Sequence, residues 1–340
     1  MSRARILCFG ELLLRLGAPG HALLLQQPWL DVHCGGAEAN VGVSLAHFGH
    51  EVAMVGTVAD NPLGAAILGE LRRHDVDTRH VRRVDGRMGL YFLTTGAIHR
   101  PSEVLYDRAD SAFALAPADA YDWPRLLEGA QWLHLSGVSP ALGAYVAQAT
   151  LAAARAARVA GVKVSFDGNY RPMLWQRWQG DARGILHQLF DCADVVFADY
   201  RDIGVVLGGE FPQDTLDARV EAAAQQAFAA FPQLQLMACT QRVAHTVDHH
   251  SLGAMLVPRS GAVARAPSEE LTPIIDRIGG GDAFAAGVLH GLIEGWPLED
   301  TVRFGLAAGC LKHSIPGDLN PLSVADVQAC AGDALFDVRR

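Results

Sequence analysis

The sequence predicts an α/β fold in which a mostly parallel central sheet is layered between helices and carries a small β-sheet lid. Short β-like runs alternate with helical runs of ten or more residues, the pattern of βαβ units. Two β-rich stretches interrupt that rhythm with no helix between their runs. Hydrophobic residues make up 50% of the chain against 19% charged, which supplies enough apolar surface to cover both faces of a sheet.

Residues 6–9 read as a first strand, a brief apolar run ended by Gly10. The spacing then predicts a helix over 37–48, a strand over 52–55, a helix over 63–74, a strand over 132–135, a helix over 145–160, and strands over 162–166 and 195–198. The apolar run 254–257 reads as a further buried strand. Residues 11–33 and 88–108 contain Leu12-Leu13-Leu14, Leu90-Tyr91-Phe92-Leu93 and Val104-Leu105-Tyr106. They read as antiparallel excursions that build the lid, with long loops and edge strands as the plainer alternative. An exposed apolar sheet face is normally covered, so the lid is expected to join two copies in a homo-oligomer. There is no internal repeat, low-complexity tract or linker, so residues 1–340 are taken as one domain with lid segments at about 11–33 and 88–108.

Composition excludes several classes of partner. A formal net charge of −9 leaves no basic face for nucleic acid, and no apolar segment is long enough to span a membrane. Cys8, Cys34, Cys192, Cys239, Cys310 and Cys330 form no CxxC pair and no metal-type spacing with the fourteen histidines. They read as packing residues in a reducing, cytoplasmic setting, and nothing at the N-terminus resembles a signal peptide.

The densest motif is Gly279-Gly280-Gly281-Asp282, directly ahead of the apolar run Ala283-Phe284-Ala285-Ala286-Gly287-Val288-Leu289. Adjacent glycines let backbone N–H groups turn toward one point, and the opening turn of a helix adds unpaired donors. Gly279, Gly280 and Gly281 therefore predict an anion hole. A carboxylate beside collected phosphate charge has a use if it takes a proton from the attacking group, which makes Asp282 the candidate base of phosphoryl transfer to a hydroxyl. The structural alternative is a glycine cap followed by a first-turn Asp. A second element, Cys34-Gly35-Gly36-Ala37-Glu38-Ala39-Asn40, also precedes a helix. Gly36 permits close approach to the main chain and Asn40 can both donate and accept, which suits a polyol; a tight turn capped by Asn40 is the alternative.

These two motifs, in this order and joined by Gly49, Gly56 and the turn from Asp60 to Gly64, resemble the two signatures of the ribokinase-like (PfkB) carbohydrate kinases. The similarity runs from residue 6 to about residue 320. Within the family it is greatest to members acting on 2-keto-3-deoxygluconate, through Gly89-Leu90-Tyr91, Val104-Leu105-Tyr106-Asp107-Arg108, His134-Leu135-Ser136-Gly137, Asp167-Gly168-Asn169-Tyr170-Arg171 and Lys312-His313-Ser314-Ile315-Pro316-Gly317-Asp318. The resemblance implies a ribokinase-like layered αβα fold and transfer of phosphate from ATP, with Mg2+, to O6 of that sugar acid. It also implies that Gly36, Asn40, Tyr91, Tyr106, Arg108 and Arg171 surround the acid and that Asp282 is the base.

Chemistry agrees with that transfer, since the planar forks of two arginines fit a carboxylate that a neutral ketose lacks. The alternative is that Arg108 and Arg171 form surface salt bridges with the nearby Asp107 and Asp167. Two stretches depart from the family. Asp199-Tyr200-Arg201-Asp202 stands where many relatives carry an Asn-x-x-Glu element that organises magnesium, and Thr240-Gln241-Arg242 replaces a Gly-rich nucleotide turn. Asp199, Thr240 and Arg242 are the nucleotide-binding candidates, although Thr240 and Arg242 could simply end a strand, and the metal ligands stay open. Rival functions are a kinase for fructose or for the galactonate epimer, and a sugar-binding regulator without turnover. A dinucleotide dehydrogenase is disfavoured because Gly10-Glu11 does not open a G-x-G-x-x-G turn.

Overall fold

In the computed structural model, which describes residues 3–332, strand β1 (Arg5–Phe9) shows why the chain forms layers. Ile6 and Cys8 enter one apolar core and Leu7 and Phe9 the other, and all four are fully buried. A strand with both faces covered reads as an unbroken apolar run, as it does here. The remaining strands are β2 (Leu13–Gly17), β3 (Asp31–Gly35), β4 (Glu51–Ala59), β5 (Asp77–Val84), β6 (Gly89–Thr94) and β7 (Glu103–Asp107). They are followed by β8 (Trp132–Ser136), β9 (Lys163–Asp167), β10 (Val195–Phe197), β11 (Leu236–Ala244), β12 (His250–Pro258) and β13 (Ala264–Leu271).

Among the described residues, nine strands form the large sheet in the order β13-β12-β11-β10-β9-β8-β1-β4-β5, and every pair is parallel except the two made by β12. Helices Ala37–His47, Gly280–Glu294 and Leu298–Lys312 supply residues to the core on one face. Helices Ala144–Ala160, Ala182–Cys192 and Leu216–Ala230 do so on the other. The predicted helices appear with their ends moved by one residue. The helix expected over 63–74 runs Pro62–Arg73 because the Asn61 side chain accepts from the amides of Leu63 and Gly64, and Pro62 occupies the first turn. The strand expected over 52–55 extends to Ala59, as its second half pairs with β5.

The segments expected to form a lid build a separate sheet in the order β3-β2-β6-β7. It is mixed rather than antiparallel, since β2 and β6 run parallel. The reason lies in the large sheet. β1 and β5 run in the same direction there, so the two excursions leave from the same end and enter the small sheet alike. One register row across this sheet is His33, Arg15, Tyr91 and Tyr106; the next is Val32, Leu16, Phe92 and Leu105. Because side chains alternate between faces, the first row turns toward the body of the protein and the second away from it.

All six cysteines are free. No helix among the described residues is long and apolar enough to cross a membrane. His245, His249 and Glu270 bring ligand atoms within 4.8 Å of one another beside the β11–β12 turn. Hydrogen bonds already join His249 to Glu270 and tie both His245 and Glu270 to Ser251.

Candidate active site

Parallel strands end together, and the space beyond their carboxyl ends is where α/β sheets bind ligands. Here it holds two adjoining cavities. One, of about 310 Å³, is lined by Gly36, Asn40, Tyr91, Tyr106, Arg108, Arg171, Asp282 and Asp318 among others. The other, of about 590 Å³, is lined by Asp199, Asp202, Thr240, Gln241 and Phe284 among others. Asp167, Arg242, Arg277 and Gly281 belong to both and form the junction. The smaller volume fits a six-carbon acid and the larger a nucleotide.

At the junction the helix Gly280–Glu294 begins. Gly279 caps it at φ 81°, and a Cβ there would meet the Asp318 carbonyl oxygen at 2.1 Å, so only glycine fits. The first bond back to the cap is donated by the Ala283 amide to the Gly279 oxygen at 2.9 Å, which leaves the amides of the opening turn without an intrahelical acceptor. Gly281 faces open space. Gly280 departs from the anion-hole expectation: it is buried against the His313 ring and lines neither cavity.

Asp282 is half-buried one residue further on, and its Oδ2 accepts from Asn40 Nδ2 at 2.7 Å. Burial pushes its pKa up to about 6, against the Asn40 hydrogen bond and with further repulsion from Asp318. Such a carboxyl is poised to exchange a proton near neutral pH. Gly36, at φ 150°, stands where a Cβ would meet the Glu11 carbonyl oxygen at 2.2 Å; it lets Ala37–His47 start against β1 and carry Asn40 to Asp282. The Asn40 Oδ1 is buried with no partner among the described residues, so it can accept from a ligand hydroxyl.

The surface-pair alternative for the arginines does not hold. Asp107 pairs with Arg87, while Arg108 is buried and donates from Nε to Glu11 Oε2 at 2.6 Å. Ser111 Oγ donates to the other Glu11 oxygen at 2.5 Å, so the carboxylate is fully engaged and fixes the guanidinium at the cavity wall. Arg171 is exposed on the same wall and donates to the Tyr170 carbonyl oxygen at 3.2 Å rather than to Asp167. Tyr91 donates to Asp318 Oδ2 at 2.8 Å, and Asp318 also pairs with the buried Arg15 of β2 at 3.1 Å. Burial raises the Asp318 pKa while Arg15 opposes the shift.

In the larger cleft the nucleotide candidates fare differently. Thr240 and Arg242 do not end a strand; β11 continues through them and pairs them with Ala254 and Leu252. Asp199 lines the cleft, but its carboxylate caps the helix Tyr200–Leu207 and is gripped by Arg201 at 2.5 and 2.8 Å. Sequence reasoning assigned no definite site role to Asp202, which closes the stretch standing where relatives organise magnesium, or to Asp167, which opens the matched string ending at Arg171. Asp202 sits in the first turn of that helix, and burial followed by the nearby Asp199 charge pushes its pKa up to about 6. Asp167 rises to about 8 from burial, then from the charges of Asp282 and Asp202. The available signal was position, since Asp167 ends β9 at the edge where ligands bind. Arg277 and Asp318 were given no role either, although Arg277 lies two residues ahead of Gly279 and Asp318 closes the matched string that begins at Lys312.

The sequence pattern described as pfkB family carbohydrate kinase matches residues 3–324. The chain belongs to that family. Among its relatives is a 2-dehydro-3-deoxygalactonokinase of Haloferax volcanii, 33% identical over 338 residues, which cover 98% of this chain and 99% of that one. A solved structure, the 2-dehydro-3-deoxygluconokinase of Thermotoga maritima, superimposes with a TM-score of 0.91 at 35% identity, covering 97% of this chain and 98% of the other. A fructokinase with bound ATP from Xylella fastidiosa shares the fold at a TM-score of 0.77 and 24% identity, covering 96% and 97%. This pfkB kinase thus has the ribokinase-like architecture of a large, mostly parallel sheet beside a smaller one.

Proposed function

We propose that this carbohydrate kinase transfers the γ-phosphoryl group of ATP to O6 of 2-keto-3-deoxygluconate, giving 2-keto-3-deoxy-6-phosphogluconate. The observation that carries the reading is the pairing of Arg108, held by Glu11, with Arg171 on the cavity that contains Asp282. Two planar cations there suit a carboxylate at one end of a substrate while its other end reaches the base. Asn40 orients Asp282, which takes the O6 proton; Asn40 Oδ1, Tyr106 and Asp318 offer partners to the hydroxyls between. The open Gly281 and the opening turn receive phosphate oxygens. ATP would lie in the larger cleft along Thr240 and Arg242.

Asp167 and Asp202 are the groups suited to hold Mg2+, because burial and neighbouring carboxylates raise both pKa values and a hard cation would relieve that charge. Bound there, the ion would neutralise phosphate charge. The free thiols suit a reducing, cytoplasmic setting.

A second reading, the galactonate epimer as substrate, is favoured by the 33% identical relative from Haloferax volcanii. ATP consumption measured with both epimers, other sugar acids and fructose tests the proposal. Turnover led by the gluconate-derived acid is expected; preference for the epimer would replace the sugar, and preference for fructose would sink the acid assignment.

The small sheet is read as a lid that also joins two copies. Val32 and Leu105, at 59% and 60% exposure, end an apolar row with Leu16 and Phe92 on the face turned from the cavity. Sedimentation should find a dimer, and Val32→Lys with Leu105→Lys should dissociate it. A wild-type monomer at high concentration would refute the interface.

A further inference from the structure

We propose that Arg277 is a catalytic residue that grips the phosphoryl group during transfer, at the junction of the two cavities. This rests on the phosphoryl-transfer reading of the site and adds a residue to it. Arg277 lies two residues ahead of Gly279 and lines both cavities. Its side chain is exposed, and among the described residues it has no carboxylate or hydrogen-bond partner. The neighbouring cation is Arg242, the other arginine of the shared wall; desolvation and then the Arg277 charge lower the Arg242 pKa. Two guanidinium groups facing one junction repel each other until an anion comes between them.

A solvated surface arginine is the plain alternative, and the backbone argues against it. Asp276, the preceding residue, accepts from Arg15 at 3.2 and 2.6 Å, from the Ile278 amide at 3.0 Å and from the Gly317 amide at 2.9 Å. The side chain therefore springs from a clamped main chain, as a group that must be preorganised requires. The need for it is electrostatic. The carboxyls of Asp202 and Asp282 flank Asp167 at this junction, and the transferring group spreads further negative charge over its three equatorial oxygens.

In the step itself, the O6 proton passes to Asp282 and O6 forms its bond to the γ-phosphorus. The bond from that phosphorus to the bridging oxygen breaks, and its electron pair leaves with ADP. Arg277 donates hydrogen bonds to the non-bridging oxygens and exchanges no proton.

The test compares wild type, Arg277→Ala and Arg277→Lys on whichever acceptor the wild type phosphorylates fastest, so that a wrong sugar assignment leaves the comparison intact. Arg277→Ala should lower kcat by about 10²–10³-fold, the loss typical of one preorganised donor. Arg277→Lys should lose at least about tenfold because it keeps the charge without the fork. Sugar KM should stay within about threefold. Free guanidinium should restore part of the Arg277→Ala turnover. In direct binding without acceptor, the variant should lose more affinity for ATP than for ADP. A kcat within about threefold of wild type overturns the proposal, as does a loss without guanidinium rescue that weakens ATP and ADP equally. Should no acceptor turn over, the phosphoryl-transfer reading falls, and the ATP-against-ADP comparison still decides whether Arg277 meets the terminal phosphate.

Discussion

The sugar cavity and the nucleotide cleft share a wall and are built in opposite ways. In the first, polar groups are wired in advance: Arg108 to Glu11, Tyr91 to Asp318, Asp282 to Asn40. In the second, Asp199 is committed to its own helix cap, and Asp167 and Asp202 are held at raised pKa values. Arg242 and Arg277, on the shared wall, face each other as like charges. A small acceptor is selected by donors already in position, whereas a nucleotide brings charges that complete its own site.

The strongest way to break this contrast is to remove the group on which both cavities converge. Asp282→Asn should lower kcat by roughly two to four orders of magnitude, the usual contribution of a positioned general base, with sugar KM little changed. Steady-state kinetics on the preferred acceptor decides it; turnover near wild type would take Asp282 out of the mechanism.

The two arginines sharpen the contrast within the sugar cavity itself. Either change to Ala should raise KM for the acid by about thirtyfold, or ~2 kcal/mol for a lost charged contact, and should cost a neutral ketose much less. Only Arg108→Ala should also destabilise the fold, by about 3–5 kcal/mol, because Glu11 is then left buried without its countercharge. Denaturant unfolding of both variants separates these effects. Equal kinetic losses on acid and ketose would mean that the arginines serve folding or phosphate binding.

Next comes pH. With Asp282 at about 6, kcat/KM should decline on the acid side as the base becomes protonated, in a limb centred near pH 6. The observed value will belong to the interacting carboxylates together. A rate flat down to pH 4.5 would contradict the raised pKa.

The smallest effect belongs to stability. Asp167 has a folded pKa of about 8 against an ordinary 3.8, so between those values the native state holds a proton that the unfolded chain has lost. Stability therefore falls as pH rises through that window, and Asp167→Asn should remove the penalty. Thermal unfolding at pH 8 should show the variant higher by roughly 1–3 °C, with the difference vanishing near pH 4. A lower midpoint at pH 8 would show that the carboxylate is not a source of strain in the metal-free protein.

Much of this site was legible before folding, and the gaps have a common cause. Gly279, Gly281, Asp282, Gly36 and Asn40 announced themselves because glycine clusters ahead of apolar runs are local signals, readable within a few residues. Asp167 and Arg277 stand beside such motifs, but one charged residue at a strand end or in a loop does not say which cavity it will line. Asp199 lines the larger cleft as expected, but the sequence did not show that a carboxylate opening a helix satisfies its own amides first. The parallel pairing of β2 with β6 was hidden too, because it follows from the directions of strands elsewhere in the sheet.

By itself, then, the sequence determined the alternation that makes a two-faced sheet, the helix that opens on glycines, and the presence of two arginines suited to an acid. These depend on neighbours along the chain and on periodicity. Tertiary structure alone decided who meets whom: Arg108 with Glu11 across 97 positions, Tyr91 with Asp318 across 227, Asn40 with Asp282 across 242. No spacing rule reaches so far. Such pairs exist because parallel strands must end on the same side of their sheet, which gathers distant carboxyl ends, and the helices that follow them, around one space.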